Sequence, residues 1–266
     1  MDMIRVRELA GWDLDEDEYR PKIIDGSRLD LARARVAARS SYQVESALCE
    51  ENADRINDSF AVQQARTDLH AEMTGLDWFL GVVDLRNLLA FQRRLILHPV
   101  ATHTTLPAAD DWDALMGLCL GKRSPVVCEA LWSDTSIVLR SSNPNLHFRV
   151  TQDSSSPIAI HTGSPFFEVA LYKDRWFLRD GYHRAFQCLQ AGISRLPAVI
   201  VRARTLEELG AIHPWFFSEK LLFSSRPPRV IDFLENELVI EYNRSPLIKT
   251  LRIRIEETYA LQGENL

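Results

Sequence analysis

The sequence lacks several features that would place it in a functional class at once. No apolar run approaches the roughly 18 residues that a membrane-spanning helix needs, and the first residues do not form the apolar core of a secretory signal. The net charge is -6, so the overall positive charge typical of nucleic-acid-binding proteins is missing. We therefore expect a cytoplasmic protein with no membrane partner and no general nucleic-acid partner.

Signals for metal, redox and hydrolase chemistry are also missing. The cysteines have the spacing of neither a zinc site nor a redox pair, and reduced, packed thiols are expected in a cytoplasm. The histidines outside residues 180–184 show no metal-binding pair around a carboxylate. The sequence has no Walker-type loop and no nucleophile elbow. We predict no resident metal site among these residues: Cys49, Cys119, Cys128, Cys188, His70, His98, His103, His147, His161 and His213.

The composition that remains is that of a globular protein. The 266 residues are 46% hydrophobic, and a chain of this length buries about three quarters of its unfolded surface when it folds. Residues 1–24 are acidic and are expected to be irregular and solvated. Residues 29–65 are rich in Ala, Arg, Glu and Gln without proline or glycine, which predicts one or two helices. We therefore predict a helical N-terminal segment over residues 1–75, which offers a surface for a protein partner.

Residues 76–266 alternate predicted strands and helices, which indicates the α+β fold class. We interpret residues 101–160 of this part as an insertion. The predicted elements are a strand at 78–83, a short helix at 84–94, a helix at 110–120, a β-meander at 125–150, a hairpin of 166–171 with 175–178, a helix at 182–191, a strand at 196–201, a short helix at 230–234, and strands at 238–242 and 247–255.

The turn Asp180-Gly181-Tyr182-His183-Arg184 is the strongest functional signal in the chain. It joins a predicted strand to a predicted helix, and glycine allows a sharp turn and a close approach to the backbone. The first amides of a helix have no internal partners and bind anions. Cations in a first turn oppose the helix dipole, so His183 and Arg184 indicate a phosphate as the missing negative group.

A purely structural interpretation of the same turn is equally open from spacing alone. In it Asp180 caps the helix, Arg184 pairs with Asp180 or Asp174, and His183 is simply exposed.

Resemblance to a known superfamily favours the phosphate. The strand, the Asp-Gly-x-His-Arg turn, the helix ending at Ala191-Gly192 and the following strand resemble the core of the ParB/sulfiredoxin superfamily over about residues 165–202. Residues 78–94, with Gln92 and Arg93, are similar to the family's first strand and its Gln-Arg segment. The superfamily includes a CTP-hydrolysing partition domain, ATP-using sulfiredoxin and a ParB-like free-serine kinase, and its Gly-x-His/Arg-Arg turn binds nucleotide phosphates.

Departures from the family pattern narrow the expectation. Sulfiredoxin carries a cysteine just before its His-Arg pair, where this chain has Tyr182, and Cys188 lies six residues later. Sulfinic acid reduction is therefore not expected. Partition proteins carry a helix-turn-helix domain after this core, whereas residues 203–266 are too short and too strand-like for one.

The resemblance implies a nucleotide-binding protein, an NTPase or a small-molecule phosphotransferase, using ATP or CTP with Mg²⁺. Gly181 and the amides of Tyr182, His183 and Arg184 would cradle phosphates, with Gln92 and Arg93 also at the nucleotide. Asp180, His183 and Arg184 are the expected catalytic residues: Asp180 would orient Mg²⁺ or the acceptor, His183 would hold a phosphate oxygen or shuttle a proton, and Arg184 would neutralise developing charge. An Arg184→Ala change would then weaken nucleotide binding about tenfold.

Two other functions remain open at this level. One is a non-catalytic module that senses a nucleotide or a phosphorylated ligand, and the other is a ParB-like DNA-associated protein or nuclease. Glu168 lies in the strand before the turn and would serve as a base or a Mg²⁺ ligand if it faced the turn, but an exposed carboxylate is the preferred interpretation.

Overall fold

A computed structural model describes residues 3–22, 24–49, 54–97, 105–123, 125–143, 145–150 and 158–258. The fold is mixed α+β, which confirms the predicted class. The chain divides into two compact units, one formed by Met1–Lys122 with Ser164–Ser245 and the other by Arg123–Gly163 with Pro246–Leu266. None of the helices in the described part combines the length and apolarity that crossing a bilayer requires.

The strands are β1 (Ile4–Leu9), β2 (Leu48–Cys49), β3 (Trp78–Asp84), β4 (Leu89–Ala90), β5 (Arg94–Leu97), β6 (Glu129–Ser133), β7 (Ser136–Ser141), β8 (Leu146–Val150), β9 (Ile158–Thr162), β10 (Glu168–Tyr172), β11 (Arg175–Asp180), β12 (Arg195–Arg202), β13 (Val239–Arg244) and β14 (Lys249–Arg254). The α-helices are α1 (Gly26–Ala37), α2 (Asp54–Gln64), α3 (Thr67–Glu72), α4 (Trp112–Cys119), α5 (Tyr182–Gln190), α6 (Leu206–Leu209) and α7 (Glu219–Leu222). In the described part of the chain, 3₁₀ helices span Leu85–Asn87 and Val230–Leu234.

A six-stranded sheet in the order β2-β3-β12-β10-β11-β4 forms the centre of the first unit. β10 and β11 form the predicted hairpin, whose turn residues Lys173 and Asp174 have positive φ angles of 48° and 63°. β10 runs parallel to β12, and their apolar side chains are fully buried at Val169, Val199 and Ile200. The local signals around the turn therefore predicted its strand, helix and following strand in the right order.

A second sheet, in the order β13-β1-β5, uses residues that were predicted to be irregular. Ile4–Leu9 is a strand paired on both sides, because its side chains at Ile4, Val6 and Leu9 are apolar and buried. β1 thus belongs to a sheet that later segments complete. The predicted division near residue 75 accordingly differs from the structure, in which residues on both sides of it share one unit.

The acidic run that follows β1 is paired with arginines rather than simply solvated. Glu8 is fully buried and accepts from Arg20, whose Nη2 also lies 2.5 Å from Asp15. Arg94 contacts the same Glu8 and Asp15 and lies 3.0 Å from Asp17. A buried carboxylate needs such partners to offset its desolvation, and the sequence order alone did not bring Arg94 to this segment.

The helix predicted over residues 84–94 is wrong. Asp84 caps only the short 3₁₀ turn Leu85–Asn87, and the chain then extends as β4 beside β11. The Tyr182 hydroxyl accepts hydrogen bonds from the backbone amides of Phe91, at 3.0 Å, and Gln92, at 3.3 Å. Partners from distant residues therefore replace the helical hydrogen bonds that local propensity favoured.

The second unit contains the strands of the predicted meander, with different pairing at one of them. β6 and β7 form a hairpin and β14 joins the other side of β7, whereas β8 pairs with β9. Leu251 and Ile253 alternate with exposed Arg252 and Arg254 along β14, as the sequence pattern indicated. Only the later part of the predicted insertion at 101–160 lies in this unit, which begins at Arg123 and also takes in the C-terminal strand, whereas α4 belongs to the first unit.

Candidate functional site

The end of β11 and the start of α5 form the turn that the sequence singled out. Gly181 occupies the N-cap position in the left-handed region, with φ 101° and ψ 22°, and no side chain caps the helix. Asp180 Oδ1 accepts a hydrogen bond from the Gly181 amide at 2.5 Å. Asp180 therefore binds the amide of the N-cap residue and not an amide of the first helical turn, as the predicted cap would. The first turn contains no acidic residue, so its amides have no carboxylate of their own helix to bind.

Gly181 is required by packing within the chain rather than by a ligand. A Cβ at this position would lie 2.5 Å and 2.9 Å from two ring atoms of Phe167, closer than packed atoms can approach. Phe167 therefore fills the side of Gly181 on which a Cβ would lie, and the predicted close approach of a phosphate to the backbone stays a prediction for the other sides. An anion would have to meet the amides from the direction of the helix axis instead.

The guanidinium of Arg184 is engaged by main-chain carbonyls of the protein. Its Nη1 donates to Leu118 at 3.2 Å and to Pro165 at 2.8 Å, and its Nη2 donates to Phe166 at 2.6 Å. These contacts join the end of α4 to the segment that leads into β10. In this conformation Arg184 therefore positions the surrounding backbone. Neither sequence interpretation of this residue, the phosphate contact or the pairing with Asp180 or Asp174, included this role.

His183 is exposed and lies on the side of α5 that faces β5. Its Nε2 is 2.5 Å from the carbonyl oxygen of Ile96. This contact ties the ring to β5 beside the turn. His183 is thus exposed beside the turn, and its phosphate-binding role stays a prediction.

Tyr182, Gln92 and Arg93 serve packing roles. Tyr182 is buried and its hydroxyl holds the backbone of residues 91 and 92, and burial raises its pKa. The Gln92 amide group turns away to donate to the Arg94 carbonyl at 2.6 Å. Arg93 is buried over the Phe217 ring and donates to the Asp13 and Phe216 carbonyls. The prediction that Gln92 and Arg93 side chains meet the nucleotide therefore finds no support in their contacts.

A pair of carboxyl groups, one buried and one half-buried, lies directly beside the turn. Glu168 of β10 and Asp180 of β11 are opposite each other, because the hairpin register shifts between Glu168 and Val169. Glu168 is 1% exposed, which corrects the preferred interpretation of an exposed carboxylate. Burial raises the pKa of Glu168 and that of Asp180, and the Asp180 charge raises the pKa of Glu168 further. Such a pair favours sharing one proton over carrying two charges.

Two residues that the sequence did not indicate complete this cluster. Arg179 donates from Nη1 to Glu168 Oε2 and from Nε to the Glu208 carbonyl at 3.0 Å. Ser164 faces both acids. A hydrogen bond from its amide lowers the pKa of Asp180, and a hydrogen bond from its hydroxyl lowers the pKa of Glu168. Glu168 Oε1 is buried and still has no partner within hydrogen-bonding distance. An orphaned buried oxygen is costly, and is therefore often a sign of function.

The raised pKa of Glu168 predicts a pH-dependent stability. Because folding favours the protonated acid, its contribution to stability is lost as the pH rises above the ordinary value of 4.5. A Glu168→Gln variant is therefore expected to gain stability relative to the parent protein as the pH rises, by up to about 1.4 kcal/mol per pH unit while Glu168 titrates. Urea unfolding of both proteins across a pH series measures this difference.

The exposed Glu207 of α6 provides the control for that measurement. A Glu207→Gln variant loses the same carboxyl group outside the core. The two variants are compared by how far their unfolding free energy differs from that of the parent protein at each pH. If this difference is as independent of pH for Glu168→Gln as for Glu207→Gln, the raised pKa of Glu168 is disproved.

Other reactive groups do not belong to this site. Cys119 and Cys188 are buried free thiols, and burial raises their pKa to about 12 and about 11, respectively, so both are protonated and inert at neutral pH. Within the described ranges, no three His, Cys, Asp or Glu side chains gather as metal ligands. A groove between α1 and β13 has a volume of about 410 Å³, and its arginines, Arg7 and Arg28, are paired with protein oxygens.

Comparisons with protein-family models, with curated proteins and with solved structures each returned no match. The geometry of the turn and of the carboxyl pair therefore carries the functional argument.

Proposed function

We propose that the turn from Asp180 to Arg184 binds the phosphate groups of a nucleotide, ATP or CTP with Mg²⁺, and that the adjacent carboxyl pair takes part in hydrolysis or phosphoryl transfer to a small acceptor. The observation that carries this proposal is the combination of an uncapped helix start with a buried carboxyl oxygen that has no partner, Glu168 Oε1, one strand away. The uncapped helix start has a cost within the protein alone that an anion at the turn offsets, and the buried Glu168 oxygen has a cost with no offset among the described contacts.

The electrostatics of the turn suit a phosphate. The N-terminus of a helix carries about half a positive charge and normally has a capping side chain or an acidic residue in its first turn. α5 has neither and carries His183 and Arg184 instead. Asp180 accepts the Gly181 amide just before the helix, and a phosphate would accept from the amides of the first turn itself, with His183 beside it.

Arg184 takes a different role from the one expected of it. Its three carbonyl contacts hold Pro165 and Phe166 beside the turn, so we assign it to positioning the segment that carries Ser164. The positive charge of its guanidinium still lowers the pKa of Asp180. It therefore favours the ionised form of the carboxylate that lies nearest to the helix start.

The carboxyl pair provides a proton acceptor for an acceptor hydroxyl or a water. A general base works best when its pKa lies close to the working pH, and burial raises the pKa of both acids. Asp180 is the less buried of the two, so we assign it the contact with the acceptor or with Mg²⁺. We assign to Glu168 the role of sharing a proton with Asp180. This pair favours an enzyme over a purely sensing module.

The same core supports the proposed relationship to the ParB/sulfiredoxin superfamily. The β10–β11 hairpin, the Asp-Gly-x-His-Arg turn, α5 and β12 follow one another in the order that the resemblance implies. A sensing module and a DNA-associated protein are the outcomes that the experiment below separates from an enzyme.

A His183→Ala variant is expected to bind nucleotide about tenfold more weakly, the cost of losing one charge-assisted contact. The exposed position of His183 leaves the fold intact. Calorimetry with ATP, CTP and inorganic triphosphate, with and without Mg²⁺, measures the affinity, and phosphate release with and without serine measures turnover.

Gln190→Ala is the matched control, because Gln190 is exposed on the last turn of the same helix. It is expected to bind nucleotide like the parent protein. Absence of binding to any of the three probes by the folded parent would refute the proposal. Binding without turnover would assign a sensing module, and salt-sensitive retention of DNA would favour the DNA-associated alternative.

A further inference from the structure

The outer edge of β6 in the second unit is open along its whole length. β6 is the last strand of the β14-β7-β6 sheet, and no strand in the described part of the chain pairs with its other side. All five of its residues are exposed, and Trp132 and Leu131 are 73% and 49% exposed. Natural proteins usually protect such an edge with a proline, a lysine or a bulge. β6 contains none of these, and its register with β7 is regular.

One face of this sheet is apolar and reaches the open edge. Trp132 lies opposite Ile137, which lies opposite Ile253, and Ala130 lies beside Leu139 and Leu251 in the same way. Leu139 is buried, whereas Trp132 at the edge is mostly exposed. The apolar face therefore ends abruptly at β6 and would continue on a strand added there.

The pattern of β6 suits pairing with itself. A hairpin with a two-residue turn closes with a hydrogen-bonded pair, here Ser133 and Ser136, and hydrogen-bonded pairs then alternate along the ladder. The amides and carbonyls of Ala130 and Trp132 therefore point outward. In an antiparallel pair of β6 strands centred on Leu131, Ala130 faces Trp132 of the second copy, which aligns both sets of outward groups.

Charge also permits this register. The single charged residue of β6, Glu129, would face Ser133 of the second copy and already pairs with Arg140 of its own sheet. No like charges meet, and two Leu131 side chains meet on the axis. An isologous contact of this kind is the usual arrangement of symmetric dimers.

We infer that β6 pairs with β6 of a second copy of this chain, forming a continuous six-stranded sheet across a two-fold axis at Leu131. The two tryptophans would bury about 300–500 Å² together, and two short strands therefore stay below the roughly 1,200–2,000 Å² of stable interfaces. The dimer is therefore weak and depends on protein concentration.

Sedimentation velocity over a micromolar concentration series tests this dimer with the full chain. The parent protein is expected to shift from monomer to dimer as the concentration rises. Leu131→Lys places two like charges on the axis and is expected to remain monomeric. Thr250→Lys adds the same charge at an exposed position on β14, at the opposite edge of the same sheet, and is expected to dimerise like the parent.

A second variant tests the same strand pairing in case Leu131→Lys does not fold. Ala130→Pro removes an outward amide and leaves the β6–β7 hydrogen bonds in place, because proline is accepted on an edge strand when its nitrogen faces solvent. It is expected to fold and to remain monomeric. A parent protein that stays monomeric throughout the series, or a folded Ala130→Pro variant that dimerises fully, overturns the inference.

Discussion

A Gly181→Ala variant is expected to lose about 2–5 kcal/mol of unfolding free energy, the sum of a left-handed backbone at a non-glycine residue and an overpacked contact. The added Cβ would meet the Phe167 ring at 2.5 Å, and Phe167 is fully buried and cannot move aside. Relief of this contact requires the start of α5 to shift away from β10. We therefore expect the variant to lose nucleotide binding as well, since the amides of the turn move with the helix start.

Gly192→Ala is the matched control for this substitution. Gly192 also has a left-handed φ, 79°, but a Cβ added there would meet nothing within 4 Å. The control carries only the backbone cost of about 1–3 kcal/mol. Chemical denaturation of the two variants beside the parent protein measures the difference. Equal losses for Gly181→Ala and Gly192→Ala would show that the Phe167 contact yields without cost.

An Arg184→Ala variant is expected to lose about 2–4 kcal/mol of stability, because three main-chain carbonyls lose a charged donor at once. Leu118, Pro165 and Phe166 cannot replace this donor from the helix itself. This is a loss of stability, whereas the sequence alone predicted for this residue a loss of nucleotide affinity of about tenfold or more. Arg184→Lys is expected to recover only part of the lost stability, since an ammonium lacks the planar fork that reaches several carbonyls.

Thermal and urea unfolding measure the stability of both Arg184 variants, and Arg33→Ala on α1 is the control. Arg33 is 53% exposed and has only a 3.6 Å contact with Asp30, so its removal is expected to cost less than about 0.5 kcal/mol. If Arg184→Ala is as stable as the control while nucleotide binding is lost, Arg184 contacts the phosphate directly and its carbonyl contacts are dispensable.

In the proposed function, the two parts of the candidate site would have different roles. The turn itself offers amides and one exposed imidazole at His183, and the strands beneath it place the carboxyl groups of Glu168 and Asp180 opposite each other. A nucleotide would bring its own charge to the first part, and the acceptor would meet the second. This division explains why stability and catalysis should respond to different substitutions within a stretch of seventeen residues, 168–184, of one chain.

Local signals predicted the elements around the turn because each of them depends on neighbouring residues. The strand at β3, the hairpin of β10 and β11, α5 closed at Gly192, and β12 all agree with the sequence interpretation. Gly181 was singled out for a sharp turn, and its left-handed φ of 101° agrees. The period of apolar residues likewise placed His183 outside and Tyr182 inside the core.

Contacts between distant residues decided what the sequence interpretation missed. β1 became a strand because β5 and β13 flank it, and residues 84–94 did not become a helix because Tyr182 takes the amides of Phe91 and Gln92. A one-residue shift in the β10–β11 register set Glu168 opposite Asp180.

The sequence by itself determined the α+β class, the order of elements through the turn and the residues that form it, since propensity, glycine geometry and periodicity act over a few residues. The tertiary structure alone decided which partners those residues have. It gave Arg184 three carbonyls, buried Glu168 and left one of its oxygens without a partner. Burial and pairing depend on segments far apart in the chain, and no local pattern encodes their meeting.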